Sequence, residues 1–263
     1  MAYVLTLAGS NYEPTGTSKV TWSDQSGSET MYAGSPTLGT GSSTFKLTTS
    51  GIPSDATIQS VILSWTPSYA NTSSTYWNST DTSNSGIYYG STKLANLGSH
   101  GVETTADCKS ALNINPKALA DITITVKYRR TGKAYSGTGT TTRTSSCIVR
   151  NPVLSITYVS PCTPPTTVSI SPNNTTPGGA ATLTWSGAGA GVNNEIAGYL
   201  IYRRKYNLNT EWELISTVNS TATSGTYTVY APNAMGAKYY YKINTKGAAG
   251  KDSTTSPVRS ITA

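Results

Sequence analysis

The stretch Gly236-Ala237-Lys238-Tyr239-Tyr240-Tyr241-Lys242-Ile243-Asn244-Thr245-Lys246-Gly247-Ala248-Ala249-Gly250-Lys251-Asp252-Ser253 decides how the C-terminal third of the chain is read. Tyr239, Tyr241 and Ile243 alternate with Tyr240, Lys242 and Asn244, the period of two that marks a strand with one buried face. Gly247 to Gly250 then supply turn chemistry. Working outward, the same rhythm of short apolar runs between turns predicts strands over residues 167–170, 181–185, 196–204, 212–218, 227–230, 238–245 and 258–261. Short strands so closely spaced describe a two-sheet antiparallel sandwich.

The quoted stretch resembles the F strand and F–G turn of a fibronectin type III domain. That pattern runs Tyr, any residue, aromatic, any, aliphatic, any, small, and then a glycine-bearing turn and Ser. Trp185 stands where that family carries a B-strand Trp, and Tyr199-Leu200-Ile201-Tyr202-Arg203 is similar to its C strand. The resemblance covers residues 166–263 and implies a seven-stranded, immunoglobulin-like sandwich. It places Tyr239 at the tyrosine-corner position, with its hydroxyl on nearby backbone and its ring in the core. A fold of this kind says little about partners. The chain has no Arg-Gly-Asp, the family's best-known integrin-binding tripeptide.

At 263 residues the chain is long enough for two modules. Pro161-Cys162-Thr163-Pro164-Pro165 reads as a proline-stiffened linker, dividing the chain into 1–160, 161–165 and 166–263. In the first module, strands are expected over residues 3–7, 19–22, 44–47, 57–65, 86–89, 121–128, 145–149 and 153–159. Ile122, Ile124, Val126 and Tyr128 keep strict alternation. One helical segment is expected within 105–120, broken by Pro116 into a short helix and a turn. The run Ile52-Pro53-Ser54-Asp55-Ala56-Thr57-Ile58-Gln59-Ser60-Val61-Ile62-Leu63-Ser64-Trp65, with Val153-Leu154-Ser155-Ile156-Thr157-Tyr158 closing the module, is similar to jelly-roll domains of bacterial surface and phage proteins and to carbohydrate-binding modules. The expected fold class is therefore all-β: a jelly-roll-like sandwich followed by a fibronectin type III sandwich.

Composition points away from an intracellular enzyme. Only 12% of residues are charged, against about 25% in an average soluble domain, and 18 Tyr and 5 Trp stand against a single Phe. The net charge of +7 is dispersed, with no run longer than Arg203-Arg204-Lys205. No zinc finger or RNP-like run focuses it, so it reads as solubilising charge and no nucleic-acid partner is expected. No stretch approaches the ~20 apolar residues of a membrane span. Met1-Ala2-Tyr3-Val4-Leu5-Thr6-Leu7 lacks the basic and long apolar regions of a signal peptide. External composition without an export address fits a protein made in a host cytoplasm and released by lysis on a virion surface.

No catalytic residues are assigned. His100, the one histidine, lies in the glycine-bounded turn Leu97-Gly98-Ser99-His100-Gly101 and reads as an exposed loop residue. No pair among the 12 acidic residues sits in an apolar setting that would make a glycosidase acid. Gly39-Thr40-Gly41 and Gly137-Thr138-Gly139 lack the helix and Lys of a phosphate loop. Asp24, Asp55 and Asp81 have no Asp-x-Asp spacing for calcium and read as turn residues. No metal or cofactor is expected. The three cysteines, Cys108, Cys147 and Cys162, leave open either buried thiols or a single Cys108–Cys147 bridge.

Tyr69-Ala70-Asn71-Thr72-Ser73-Ser74-Thr75-Tyr76-Trp77-Asn78-Ser79-Thr80-Asp81, followed by Tyr88-Tyr89, sets aromatic rings among amides and hydroxyls. Ring faces stack on apolar sugar faces while such neighbours satisfy sugar hydroxyls. Tyr69, Tyr76, Trp77, Tyr88 and Tyr89 are thus the candidate glycan-binding residues, against the simpler reading that Trp77 and Tyr88 cap a core. The functional expectation is a structural protein of a tailed bacteriophage, in capsid decoration, a head fibre or the tail. Its expected partners are other virion proteins, further copies of itself paired through edge strands, and host or mucosal glycans. The alternative is a carbohydrate-binding accessory region of a secreted polysaccharide-degrading enzyme or an adhesin.

Overall fold

In a computed structural model the described residues are 4–8, 15–21, 39–70, 77–132, 140–205 and 211–263. They form an all-β chain in two compact units. One comprises the described residues within 4–52 and 58–157, and the other those within 53–57 and 158–263.

The strands of the first unit are β1 (Val4–Ala8), β2 (Thr15–Thr21), β3 (Gly39–Phe45), β4 (Thr57–Ala70), β5 (Trp77–Thr80), β6 (Gly86–Tyr89), β7 (Thr92–Ala95), β8 (Thr104–Asp107), β9 (Ile122–Tyr128), β10 (Arg130–Gly132) and β11 (Thr140–Val159). One sheet runs β1-β11-β4-β8, with β2 also on β11; the other runs β3-β9-β6-β7; β5 and β10 form a separate ribbon. Counting the eight principal strands along the chain, the sheets read first-eighth-third-sixth and second-seventh-fourth-fifth. This is the interleaved order of a jelly roll.

The residues that alternate inward fill its core: Val61, Leu63 and Trp65 from β4, Ile122, Ile124, Val126 and Tyr128 from β9, and Leu154 and Ile156 from β11 are all buried. Trp65 can be buried because its indole N–H donates to the Leu97 carbonyl at 2.7 Å. Tyr69 of β4 stacks on Tyr128 of β9 with centroids 5.6 Å apart, a contact between the two sheets. The segment expected to hold a broken helix forms one turn, α1 (Lys109–Leu112). A 3-10 turn at Pro116–Ala118 follows, with Pro116 in its first turn, where a missing N–H costs nothing.

In the second unit the strands are β12 (Thr167–Ser171), β13 (Ala180–Ser186), β14 (Ile196–Lys205), β15 (Glu213–Val218), β16 (Gly225–Tyr230), β17 (Lys238–Gly247) and β18 (Arg259–Thr262). They form a three-stranded sheet β12-β13-β16 and a four-stranded sheet β15-β14-β17-β18, the expected seven-stranded, immunoglobulin-like sandwich. Val168, Leu183, Trp185, Tyr199, Ile201, Val229, Tyr241, Ile243 and Ile261 make its core. The rings of Trp185 and Tyr199 lie 4.9 Å apart within it.

The fully buried tyrosine whose hydroxyl meets backbone is Tyr241, while Tyr239, which the resemblance sets at the corner, packs at the margin of the core. The Tyr241 hydroxyl donates to the Tyr230 carbonyl at 3.0 Å, and burial pushes that phenol up to about 12. Tyr239 is only half-buried, at the margin of the core. A slip of two residues keeps a side chain on the same face, so the alternation alone does not separate the two.

The proline-rich segment expected to be a spacer is stitched into the second unit. The Ser160 N–H donates to the Val192 carbonyl at 3.1 Å, and the Cys162 N–H to the Lys251 carbonyl at 3.2 Å; Thr163 and Gly189 exchange N–H···O bonds. Asn193 donates its amide to the Tyr158 carbonyl at 2.7 Å. Asn194, with 1% of its surface exposed, donates to the carbonyls of Ser160 at 3.0 Å and Lys251 at 2.6 Å. It also accepts from the Ala249 N–H at 2.8 Å.

Candidate functional site

Among the described residues, the sequence-predicted aromatics Tyr69, Tyr88 and Tyr89 do not converge on one surface. Tyr76 and the side chain of Trp77 lie outside the described residues. Tyr69 is committed internally. Its hydroxyl donates to the Gly98 carbonyl at 2.8 Å, and its backbone N–H donates to His100 Nδ1 at 2.9 Å. That second bond gives exposed His100 a structural task, as acceptor for a strand end. Tyr88 is buried at 8% exposure, with the Lys127 ammonium 4.2 Å above its ring. Tyr89, its neighbour on β6, points to the other face and is exposed. It walls a cavity of about 160 Å³ together with Leu112, Asn115, Ala118 and Asp121, below the 300–1,000 Å³ usual for ligand pockets. The carboxylate there is already engaged. Lys46 Nζ and Thr48 Oγ1 each donate to Asp121 at 2.8 Å and hold its carboxyl at about 2.

The cysteines are free and buried, so the Cys108–Cys147 bridge is not formed. Burial pushes the Cys108 thiol up to about 11 and the Cys147 thiol up to about 12, which removes nucleophilic thiolate at neutral pH. Among the described residues no group of three His, Cys, Asp or Glu side chains is placed to hold a metal.

A second aromatic surface, passed over in the sequence reading, lies on the outward face of the sheet β15-β14-β17-β18. Because Tyr199, Ile201, Tyr241 and Ile243 turn into the core, their alternating neighbours turn out. The register pairs Tyr202 with Lys242, Arg204 with Tyr240 and Leu200 with Asn244, so residues from two strands form one outward set. Trp212, just before β15, joins them: the Arg204 guanidinium carbon lies 4.9 Å and the Lys242 ammonium 4.7 Å from its ring centroid. Lys242 is also 5.1 Å from the Tyr202 ring. Leu214, opposite Tyr202 on β15, is 50% exposed. This is a firm platform of rings with cations held against them.

The electrostatics of the face are one-sided. Arg203, which turns inward, pairs with Glu213, its Nη2 2.8 Å from the carboxylate. Among the described residues neither Arg204 nor Lys242 has a carboxylate partner. Partial burial and then the Arg204 charge pull the Lys242 ammonium below the usual lysine range. Arg203-Arg204-Lys205 had read only as part of a dispersed charge. The available signal was the alternate set Lys238, Tyr240, Lys242, Asn244 and Lys246, a period-two row of cations and polar groups opposite the core residues.

The sequence matches no protein-family model, and no curated protein matches it. Solved structures similar to parts of the chain include one titled "Titin kinase and its flanking domains", with 18% identity over 38% of this chain and 16% of that one and a TM-score of 0.30. Another is a glycoside hydrolase domain of Endo-D from Streptococcus pneumoniae R6, with 11% identity over 99% of this chain and 37% of that one, also at 0.30. A β-1,2-glucanase from Parabacteroides distasonis gives 14% identity over 96% and 37%, again at 0.30. The chain spans well under two thirds of each of these three structures. Similarity at that level carries no argument about this chain's activity.

Proposed function

We propose that the chain is a non-enzymatic structural protein of a tailed-bacteriophage virion, serving in capsid decoration, a head fibre or the tail. In this reading the N-terminal jelly roll anchors it to other virion proteins. The C-terminal fibronectin type III-like sandwich adheres to glycans of the host or of mucosal surfaces. The observation that supports adhesion is the outward face of the C-terminal sheet, where Tyr202, Trp212, Leu214 and Tyr240 surround Arg204 and Lys242. Rigid rings on a sheet lose little conformational freedom on contact, and display in many copies raises weak single-site binding into avidity. Among the described residues β15 is an edge strand of its sheet, where association between copies could add a strand. The test is to purify particles of the encoding phage by density gradient, identify their proteins by mass spectrometry and label them with an antibody to this chain. Its recovery at fixed stoichiometry is expected; its absence from intact particles overturns the reading.

A further inference from the structure

Along β17 the residues opposite the core are Lys238, Tyr240, Lys242, Asn244 and Lys246. The three lysines recur every four residues, and at about 3.3 Å per residue their stems emerge about 13 Å apart along one line. Lys238 is exposed and the other two half-buried. Beside the central lysine, Arg204 and Lys242 share the Trp212 ring, each within 5 Å of its centroid. The indole therefore holds two like charges about 10 Å apart or less, an arrangement whose repulsion an anion between them would relieve.

We propose that this face is a binding track for an acidic polysaccharide laid along β17. Arg204 and Lys242 form the central carboxylate site, Lys238 and Lys246 the flanking ones, and Tyr202 and Tyr240 the contacts for the intervening sugars. Charge spacing favours this polymer over a nucleic acid. Duplex DNA presents a phosphate charge about every 1.7 Å along its axis and is met by dense basic surfaces. Cations about 13 Å apart along a strand suit a uronic-acid chain that turns one carboxylate toward the sheet every few sugars. The tyrosines beside the lysines fit the same chain, because phenol groups pair with sugar hydroxyls and ring faces cover apolar sugar faces. Trp212 acts as a positioning residue that fixes the two central cations.

The inference rests on the adhesive reading of this sheet and is independent of where the protein is displayed. The test uses the full chain on three immobilised probes: polygalacturonate, the same polymer after carboxyl reduction, and a thymidine 20-mer. Wild type is expected to bind polygalacturonate in a salt-sensitive way and to ignore the reduced polymer. The double variant Arg204→Gln/Lys242→Gln should bind about tenfold more weakly, the loss of two charge pairs. Lys238→Gln/Lys246→Gln should weaken the long polymer but leave a short oligogalacturonate, which spans only the central site, unchanged. Lys117→Gln in the other unit should bind as wild type does, and circular dichroism should show every variant folded. Equal binding to the reduced polymer overturns the charge readout while leaving glycan adhesion standing. Absence of binding to polygalacturonate, tighter binding to the 20-mer, or undiminished binding by Arg204→Gln/Lys242→Gln overturns the track itself.

Discussion

Replacing Asn194 tests how the second unit holds its entering chain. Its carboxamide joins three segments, donating to the Ser160 and Lys251 carbonyls and accepting from the Ala249 N–H. In Asn194→Ala these losses are unequal. The Lys251 carbonyl keeps the Cys162 N–H, and Ala249 is exposed, so water can replace the partner there. The Ser160 carbonyl loses its amide donor in a largely buried place, which with the lost packing sets the cost at about 2–3 kcal/mol. The open state of this unit should then be populated about 30- to 150-fold more. Amide hydrogen exchange read by mass spectrometry resolves the two units: peptides from residues 196–205 and 238–247 should exchange faster by that factor, and peptides from 122–128 should not. Asn194→Asp should cost more at neutral pH, because a carboxylate then faces two carbonyl oxygens. Its folded-state pKa is raised above the unfolded value, so the folded variant binds the proton more tightly, gaining stability as pH falls through that pKa and losing it as pH rises. Exchange in Asn194→Ala within twofold of wild type, or an Asp variant less stable in mild acid than at neutrality, refutes this account.

Tyr241→Phe should cost about 1 kcal/mol through its hydrogen bond to the Tyr230 carbonyl, whereas Tyr239→Phe should stay within about 0.5 kcal/mol; calorimetric melting of the pair separates the backbone-bonded tyrosine from its neighbour. Gly247→Ala would set a Cβ 2.4 Å from both amide atoms of Asn194 and should accelerate exchange in the same peptides as Asn194→Ala. The Asp121 carboxyl, held at about 2 by hydrogen bonds from Lys46 and Thr48, contributes stability that is present above the unfolded value of about 3.9 and lost as pH falls toward the folded one. A carboxyl-carbon NMR titration with a midpoint near the unfolded value refutes that. Iodoacetamide at pH 8 should leave Cys108 and Cys147 unmodified in the folded chain and alkylate all three cysteines in urea; an intact mass short by two hydrogens would reveal a bridge instead.

The inward half of each sheet was legible because hydrophobicity announces it. Ile122, Ile124, Val126 and Tyr128, and likewise Tyr241 and Ile243, lie where their alternation places them. What alternation does not carry is pairing. β1 lies against the far end of β11, with Val4 opposite Thr157, and no local signal in either strand names the other. Strand ends were also misjudged where proline interrupts. The expected strand 57–65 continues to Ala70 as β4, because Pro67 sits on the inward row, buried in step with Val61, Leu63 and Trp65. A proline at such a position reads as a stop.

The outward face was hidden for a different reason. Its members come from three places in the chain, Tyr202 and Arg204, Trp212 and Leu214, and Tyr240 and Lys242, and only the register of β14 with β15 and β17 brings them together. Each alone has a bland reading as surface charge or a core ring. Once Tyr241 and Ile243 are assigned to the core, however, the lysines at 238, 242 and 246 must share the opposite side, whichever tyrosine forms the corner. Exchanging Tyr239 and Tyr241 as the backbone-bonded tyrosine shifts the frame by two and leaves that face intact. A shift of one would have turned the lysines inward, where three ammonium groups without carboxylates could not be buried.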